Sequence, residues 1–148
     1  MTSQAWLSLG ANLGDPQAQL AEAVRRIDAH PSIRVTSQSS VLSTKPWGKT
    51  DQPDFANQSI AVETSLEPQE LLDILLGIEL AMGRVRQEIW GPRLIDIDII
   101  AFERRRITSP RLTLPHPHAH ERSFVLDPLR QIDEDVADWI VTLAAEPG

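Results

Sequence analysis

Two aspartates, Asp96 and Asp98, lie among aliphatic residues in the run RLIDIDII. Successive residues of a strand point to opposite faces, so a strand here would place both carboxylates on one side and Ile97 and Ile99 on the other. Two carboxylates so close do not both stay ionised unless a positive charge lies beside them. Mg²⁺ binds carboxylate oxygens and at the same time the oxygens of substrate phosphates. The spacing therefore indicates a magnesium site; the alternative is an exposed strand face that carries two aspartates.

Basic side chains are concentrated on both sides of this pair. Three arginines precede it with only Glu88 among them as an acidic residue, and three more donors follow it: Arg84, Arg86 and Arg93, then Arg111, His116 and Arg122. Arginine forks bind phosphate bidentately. Metal carboxylates beside an arginine cluster favour phosphoryl transfer, whereas the basic run before Asp96 alone is also typical of a solvated loop.

Length and composition limit the other classes of function. The chain has 148 residues, which predicts one domain spanning 1–148, and it has no cysteine, which excludes disulfides and thiolate metal sites. A net charge of −7 argues against binding to nucleic acid. The start resembles no secretory signal and no apolar run approaches the roughly 18 residues of a membrane span. We therefore expect a cytoplasmic protein that binds neither nucleic acid nor membrane.

The predicted elements follow the order strand, helix, strand, strand, helix, strand. A strand in AWLSL precedes a helix capped by Asp15, started by Pro16 and stopped after His30. Strands follow in IRVTSQSSVLS and FANQSIAVET, then a helix from Pro68 to Gly83 and a strand in LIDIDIIAF. This order predicts an α+β, ferredoxin-like βαββαβ fold, with helices on one sheet face and the active site on the other. Short strands and two helical segments, VLDPLRQI and DVADWIVTLAA, complete the chain.

Two further motifs are incomplete. The sequence Gly48–Thr50 matches the end of a phosphate-binding P-loop, but Ser43 stands where its first glycine belongs and no helix opens afterwards. Alternate histidines, His116, His118 and His120, suggest zinc without a cysteine to support it. We interpret neither motif as a site.

Two glycines and a run of three arginines are predicted to have structural roles only. Gly10 and Gly14 in LGANLGD are predicted to form a tight turn after the first strand. The run Arg104–Arg106 is predicted to be a solvated turn between short strands.

Four longer segments carry a family resemblance. The motifs LSLGANLGD, DQPDFANQSIAVETSL, WGPRLIDIDII and RLTLPHPHAHERSFVL occur in this order. Together they resemble 6-hydroxymethyl-7,8-dihydropterin pyrophosphokinase of folate biosynthesis, over most of the chain before its final segment. The resemblance implies the ferredoxin-like α+β fold. It also implies that a pyrophosphoryl group passes from ATP to the hydroxymethyl oxygen of the pterin, leaving AMP.

The resemblance also implies roles for individual residues. Asp96 and Asp98 match ligands of two Mg²⁺ ions that carry ATP, and with Arg84 and Arg93 they form the catalytic set. The residues implied to contact nucleotide are Glu79, Arg84, Trp90, Arg93, Ile99, Arg111, Thr113, His116 and Arg122. Those implied to contact the pterin are Thr44, Lys45, Trp47, Phe55, Asn57, Trp90, Asp96 and Phe124. Phe55 and Phe124 would sandwich the ring, and Asn57 would pair with its polar edge.

The chain departs from the family pattern at four positions. Ile89 stands in a shortened run where many relatives have an extra arginine, and Phe55 stands where tyrosine is common. Pro117 replaces an aromatic residue and Lys45 a frequent proline. Since the metal pair and the ring sandwich remain, we expect the activity to persist at a slower rate.

Two other functions stay open at this point. A ferredoxin-like sheet can serve as a non-catalytic nucleotide- or RNA-binding module, although the acidic composition is against it. The other is an Asp-x-Asp phosphohydrolase with a covalent aspartate. Such an enzyme would have its aspartate pair after an early strand, whereas the pair here lies about two thirds of the way along the chain. The preferred interpretation is a monomeric enzyme whose partners are the small molecules ATP and the pterin.

Overall fold

A computed structural model of the chain describes residues 1–12, 14–44, 55–83 and 95–146. Its strands are β1 (Ser3–Ala11), β2 (Ile33–Gln38), β3 (Leu42–Thr44), β4 (Phe55–Thr64), β5 (Asp96–Phe102), β6 (Ile107–Thr108) and β7 (Thr113–Leu114). Its helices are α1 (Pro16–Ala29), α2 (Pro68–Ala81), α3 (Ser123–Ile132) and α4 (Glu134–Ala144), with a 3₁₀ turn at Ala119–Glu121. None of the helices within these ranges is long and apolar enough to cross a bilayer.

The main sheet is antiparallel and has the strand order β2-β4-β1-β5. The short strand β3 pairs with the first residues of β4, so β2 and β3 lie one after the other along the same edge of β4. With β2 and β3 counted as one edge strand, the chain order is β-α-β-β-α-β, which confirms the predicted α+β, ferredoxin-like arrangement.

Helices α1 and α2 begin at the predicted prolines, Pro16 and Pro68. The Asp15 side chain accepts a hydrogen bond from the Ala18 N–H, with Pro16 at the first helical position. In α2, Glu67 and Glu70 form a reciprocal capping box ahead of the apolar stripe. These caps satisfy N–H groups that a helix leaves unpaired at its start.

One face of the sheet packs against α1 and α2. The buried core there combines alternate residues of the three long strands with the apolar stripes of both helices: Ala5, Leu7, Leu9, Leu20, Ile27, Ile60, Val62, Leu71, Leu75, Ile97 and Ile99. This core fixes which side of each strand points inward, since a slip of one residue would turn every side chain over.

The other face is covered over half its length by α3 and α4. Trp6, Ala61, Ile100 and Ala101, hereafter the apolar half, form a second buried cluster with residues of those helices. A register shift between Trp6 and Leu7 leaves Ile100 as an extra residue, a β-bulge in β5. The helical segments themselves are as predicted, but their position on the second face was not.

Two sequence expectations change in detail. Gly10 lies inside β1, so its predicted place in the turn is wrong, whereas Gly14 has the positive φ of 64° that a turn glycine allows. Arg104 is exposed, as predicted, but its guanidinium also lies 5.3 Å from the ring centroid of Trp6 and 5.4 Å from that of Trp139. Arg104 therefore bridges β1 and α4 by cation–π contacts.

Candidate active site

The aspartate pair lies on the second face of the sheet, next to the apolar half. In the β1–β5 ladder Asp96 is opposite Gly10 and Asp98 opposite Ser8. Ile97 and Ile99, each only 4% exposed, point into the opposite core. The structure thus confirms that both carboxylates share one face, with Asp96 half-buried and Asp98 exposed.

Strand β4 continues the same two rows across the sheet. Ser59 is opposite Ser8 and Asn57 opposite Gly10. Ser8, Gly10, Asn57, Ser59, Asp96 and Asp98 are hereafter the polar half of the second face. Since neighbouring strands lie about 4.8 Å apart, this half places an amide roughly two strand spacings from the carboxylates.

Gly10 leaves room for the Asn57 side chain. A Cβ atom at position 10 would lie 3.2 Å from Asn57 Oδ1. Asn57 is itself only 5% exposed, so its amide rests against the backbone of β1. Neither Gly10 nor Ser8 was predicted for the site, although the alternation of Leu7, Ser8, Leu9 and Gly10 in the sequence separates the two faces.

A pocket of about 260 Å³ opens at the outer edge of β5. Strand residues 97–99, the segment 109–113, His116, Pro117 and Leu72 line it. The pocket brings together five residues predicted for the site, which lie far apart in the sequence: Asp98, Ile99, Arg111, Thr113 and His116.

Backbone contacts hold the far wall of this pocket against β5. The His116 N–H donates to the Ile100 carbonyl oxygen at 2.8 Å. Leu112 and Leu114 are buried in the first core, and Ser109 Oγ accepts from the Leu112 N–H at 3.1 Å. The segment is therefore a fixed wall of the pocket and follows the edge of the sheet.

His116 lines the pocket as a half-buried side chain. Burial lowers its pKa, and the charge of Arg122 and the neighbouring His118 lower the pKa further, while Asp98 opposes the shift. Its Nδ1 accepts from the His118 N–H at 3.2 Å, which leaves Nε2 to carry the proton of the neutral ring. The charges of Asp98 and Arg122 therefore both act on this ring.

The two arginines of the described site differ in their contacts. Arg111 forms an exposed ion pair with Asp73 of α2 at the side of the pocket. Arg122 occupies the N-cap position of α3 and lies 5.8 Å from the ring centroid of Phe124. Exposed ion pairs are weak, so the Arg111 guanidinium can exchange Asp73 for a phosphate.

Three of the predicted pterin residues, Thr44, Phe55 and Asn57, lie on β3 and at the start of β4. Phe55 is its first residue, and the β3–β4 ladder pairs Phe55 with Thr44 and Asn57 with Leu42. Phe124 lies in the first turn of α3, which packs on the same face of the sheet. Phe55 and Phe124 are both half-buried, so each ring keeps an accessible surface.

Glu79 is buried on α2, with only 3% of its surface exposed. Its Oε2 accepts a hydrogen bond of 2.7 Å from the Ile97 N–H. Glu79 is not among the residues that line the pocket, and its predicted contact with nucleotide stays a prediction.

Several predicted residues lie outside the described part of the chain. These are Lys45, Trp47, Arg84, Arg86, Ile89, Trp90 and Arg93. Among the residues with a described position, no group of three or more histidines, cysteines, aspartates or glutamates is arranged to hold a metal. The oxygen donors of Asp96 and Asp98 nevertheless fit Mg²⁺, which takes one or two carboxylates and completes its shell with phosphate oxygens and water.

Comparisons with known proteins agree with this geometry. The sequence profile of the family described as 7,8-dihydro-6-hydroxymethylpterin-pyrophosphokinase (HPPK) matches residues 6–134. A Methylorubrum extorquens protein named 2-amino-4-hydroxy-6-hydroxymethyldihydropteridine pyrophosphokinase is 48% identical over 134 residues, covering 90% of this chain and 85% of that protein. A Bacillus subtilis protein of the same name is 42% identical over 136 residues, covering 92% of this chain and 81% of that protein.

Solved structures support the fold. A crystal structure of an HPPK-DHPS in complex with substrates superposes with a TM-score of 0.68 at 14% identity. The match covers 89% of this chain and 40% of that chain, so this protein spans about two fifths of its length. The resemblance carried by the four sequence motifs is confirmed by the family profile and the relatives, and the chain belongs to the 7,8-dihydro-6-hydroxymethylpterin-pyrophosphokinase family.

Proposed function

We infer that the chain, as a member of this family, transfers pyrophosphate from ATP to 6-hydroxymethyl-7,8-dihydropterin in folate biosynthesis. The hydroxymethyl oxygen forms a bond to the β-phosphorus of ATP, and the bond between that phosphorus and the oxygen bridging it to the α-phosphorus breaks. AMP leaves with the bridging oxygen, and the hydroxyl proton is released. The observation that supports this reaction best is the carboxylate pair beside a pocket with phosphate-binding donors.

The pocket at the edge of β5 is the proposed nucleotide site. Ile99 and Thr113 would contact the base, and Arg111, His116 and Arg122 would contact the phosphates. A neutral His116 donates through Nε2–H, and arginine forks bind phosphate oxygens in pairs. Arg84, Trp90 and Arg93 are proposed nucleotide contacts on the strength of the family resemblance.

Asp96 and Asp98 are the proposed ligands of two Mg²⁺ ions. When bound there, Mg²⁺ supplies positive charge against the triphosphate and makes a coordinated hydroxyl more acidic. The protein's own contribution is positional, because two carboxylates on adjacent same-face positions of a rigid strand define where the phosphates sit. We propose no dedicated general base.

The pterin is proposed to lie over the open end of β4. Phe55 and Phe124 would stack on its two faces, since a flat heterocycle favours aromatic surfaces. The nearly buried amide of Asn57 would pair with the polar edge of the ring and disfavour analogues without that edge. Thr44, Lys45, Trp47 and Trp90 are the further proposed contacts.

A product assay tests the function directly. The protein is incubated with ATP, MgCl₂ and 6-hydroxymethyl-7,8-dihydropterin, and AMP and ADP are separated. We expect AMP in equal amount to the pterin diphosphate, and no AMP without the pterin. ADP as the product, or binding of ATP without turnover, would instead support a phosphohydrolase or a non-catalytic nucleotide-binding module.

The Asp96→Ala variant tests the metal assignment within the same assay. Loss of a ligand removes several kcal/mol of charge stabilisation, which corresponds to a fall of about 10³-fold or more in kcat. Near-normal turnover of Asp96→Ala would make the assignment wrong. We further propose that the enzyme works as a monomer in the cytoplasm, which sedimentation at assay concentration and cell fractionation would test.

A further inference from the structure

Glu79 interrupts the apolar stripe of α2. Leu71 and Leu75 precede it at four-residue intervals on the same side of the helix and are fully buried. Glu79 takes the third position of that stripe and is 97% buried as well. A buried carboxylate is costly unless it is well bonded, whereas another leucine would continue the stripe at no such cost.

The carboxylate of Glu79 is bonded to the segment of strand that carries the aspartate pair. The acceptor is Oε2 and the donor is the N–H of Ile97, at 2.7 Å. Ile97 stands between Asp96 and Asp98. This contact of 2.7 Å holds the backbone between the two carboxylates.

Strand β5 has particular need of such a contact. Among the strands of the described residues it is the last in the order β2-β4-β1-β5, and β1 is its neighbour in that sheet. On its outer edge Glu79 holds the N–H of Ile97, and the N–H of His116 bonds the carbonyl of Ile100. These two contacts lie on either side of Asp98 and Ile99, the strand residues that line the pocket with Ile97.

We propose that Glu79 is a positioning residue for the metal site, which acts through the Ile97 N–H and keeps Asp96 and Asp98 at the spacing that the Mg²⁺–ATP complex requires. This inference rests on the proposed function. It differs from a direct contact between Glu79 and nucleotide, because its effect passes through the strand and needs the metal. Groups that orient metal ligands in this way typically change metal affinity or activity by about 10–100-fold when they are replaced.

The test uses two substitutions at position 79. Glu79→Leu continues the apolar stripe and removes the acceptor, while Glu79→Gln keeps an oxygen that can accept from the Ile97 N–H. Both variants are titrated with Mn²⁺ in the presence of an ATP analogue with a methylene between its α- and β-phosphorus, which cannot react. We expect Glu79→Leu to weaken Mn²⁺ binding by about 10–100-fold and Glu79→Gln to stay within about fivefold of the parent.

Binding of the same analogue in EDTA separates positioning from direct contact. Positioning leaves the metal-free affinity of Glu79→Leu unchanged, whereas a lost nucleotide contact lowers it equally with and without Mn²⁺. Leu75→Ala is the control for simple destabilisation: it shortens a fully buried side chain of the same stripe, lowers the melting temperature, and leaves Mn²⁺ binding at low temperature intact. Equal losses of Mn²⁺ affinity in Leu75→Ala and Glu79→Leu would overturn the proposal.

Glu79→Gln keeps the proposal falsifiable if Glu79→Leu does not fold. Loss of Mn²⁺ affinity in Glu79→Gln by more than tenfold, with amide exchange of Ile97 still slow, would mean that the charge acts directly, and the proposal would be wrong. Failure of the proposed function looks different, because the parent protein would then form no AMP. Normal AMP formation by the parent with normal Mn²⁺ binding by Glu79→Leu would reject the positioning role alone.

Discussion

The apolar half and the polar half of the second sheet face are built from the same three strands. In one row, Ala61, Trp6 and Ala101 lie side by side under α3 and α4. One step along the strands, the row is Ser59, Ser8 and Asp98. The same three strands run across this boundary, with a β-bulge at Ile100 of β5, while the side chains and their cover change.

The difference shows how the fold makes room for a site. The apolar half is closed by helices that bury Trp6 and Ile100. In the polar half Asp98 is exposed and Asp96 half-buried, although Ser8, Asn57 and Ser59 are buried. The bulge at Ile100 lies at the boundary. Bulges re-aim side chains next to functional sites, and this one lets β5 supply Ile100 and Ala101 to one cluster and Asp98 to the site.

The largest expected effect comes from carrying the polar pattern into the apolar half. Ala101→Asp places a carboxylate at a fully buried position under α3 and α4. An uncompensated buried charge costs about 3–5 kcal/mol, so we expect the free energy of unfolding in urea to fall by that amount. The matched control is Asp98→Ala, in which turnover falls while stability changes little. A stable Ala101→Asp protein would mean that the two halves are equally open.

A smaller effect is expected where α3 meets the polar half. Phe124→Ala removes one proposed stacking surface for the pterin, and stacking of a heterocycle on an aromatic ring contributes about 1–3 kcal/mol. We expect pterin affinity to fall roughly 10–100-fold while ATP affinity is unchanged, as measured by calorimetry with each ligand. Equal losses for the two ligands would argue that Phe124 only packs against the apolar half.

Gly10→Ala tests the close approach of Asn57 to β1. The new Cβ would lie 3.2 Å from Asn57 Oδ1 and push the amide out of place. A hydrogen bond lost because its partner is displaced costs about 1–2 kcal/mol. We therefore expect the KM for the pterin to rise roughly tenfold. Gly77→Ala is the control, because a Cβ there meets no atom within 4 Å and helix propensity improves by about 1 kcal/mol. An unchanged KM in Gly10→Ala would mean that Gly10 is not needed to place the Asn57 amide.

The smallest effect concerns pH and His116. Its pKa in the folded protein lies below the ordinary value of 6.5 because the ring is partly buried. The unfolded chain therefore binds the proton more readily than the folded protein does. The contribution of neutral His116 to the free energy of unfolding is fully present above pH 6.5 and is lost as the pH falls from 6.5 towards the folded pKa. His116→Gln should make the melting temperature depend less on pH between pH 7.5 and 5.5. An unchanged pH profile would mean that the folded pKa of His116 is ordinary.

The arrangement of the aspartate pair and the helix caps could be predicted from sequence. Strand alternation is a property of neighbouring residues, so DIDII alone put Asp96 and Asp98 on one face and Ile97 on the other. The cap at Asp15 likewise depends on atoms within one turn of helix. Local geometry is sufficient wherever the interacting residues are close in the chain.

Contacts between distant segments were decided only by the tertiary structure. The register of β1 between β4 and β5 brings Gly10 against Asn57, and the packing of α2 brings Glu79 to the Ile97 N–H. No periodicity within a single segment encodes these pairs, because they depend on which apolar faces pack together and where the bulge falls. The sequence by itself determined the elements, the faces of the strands and the family, while the three-dimensional packing decided which half of the second face is closed and what supports the residues of the other.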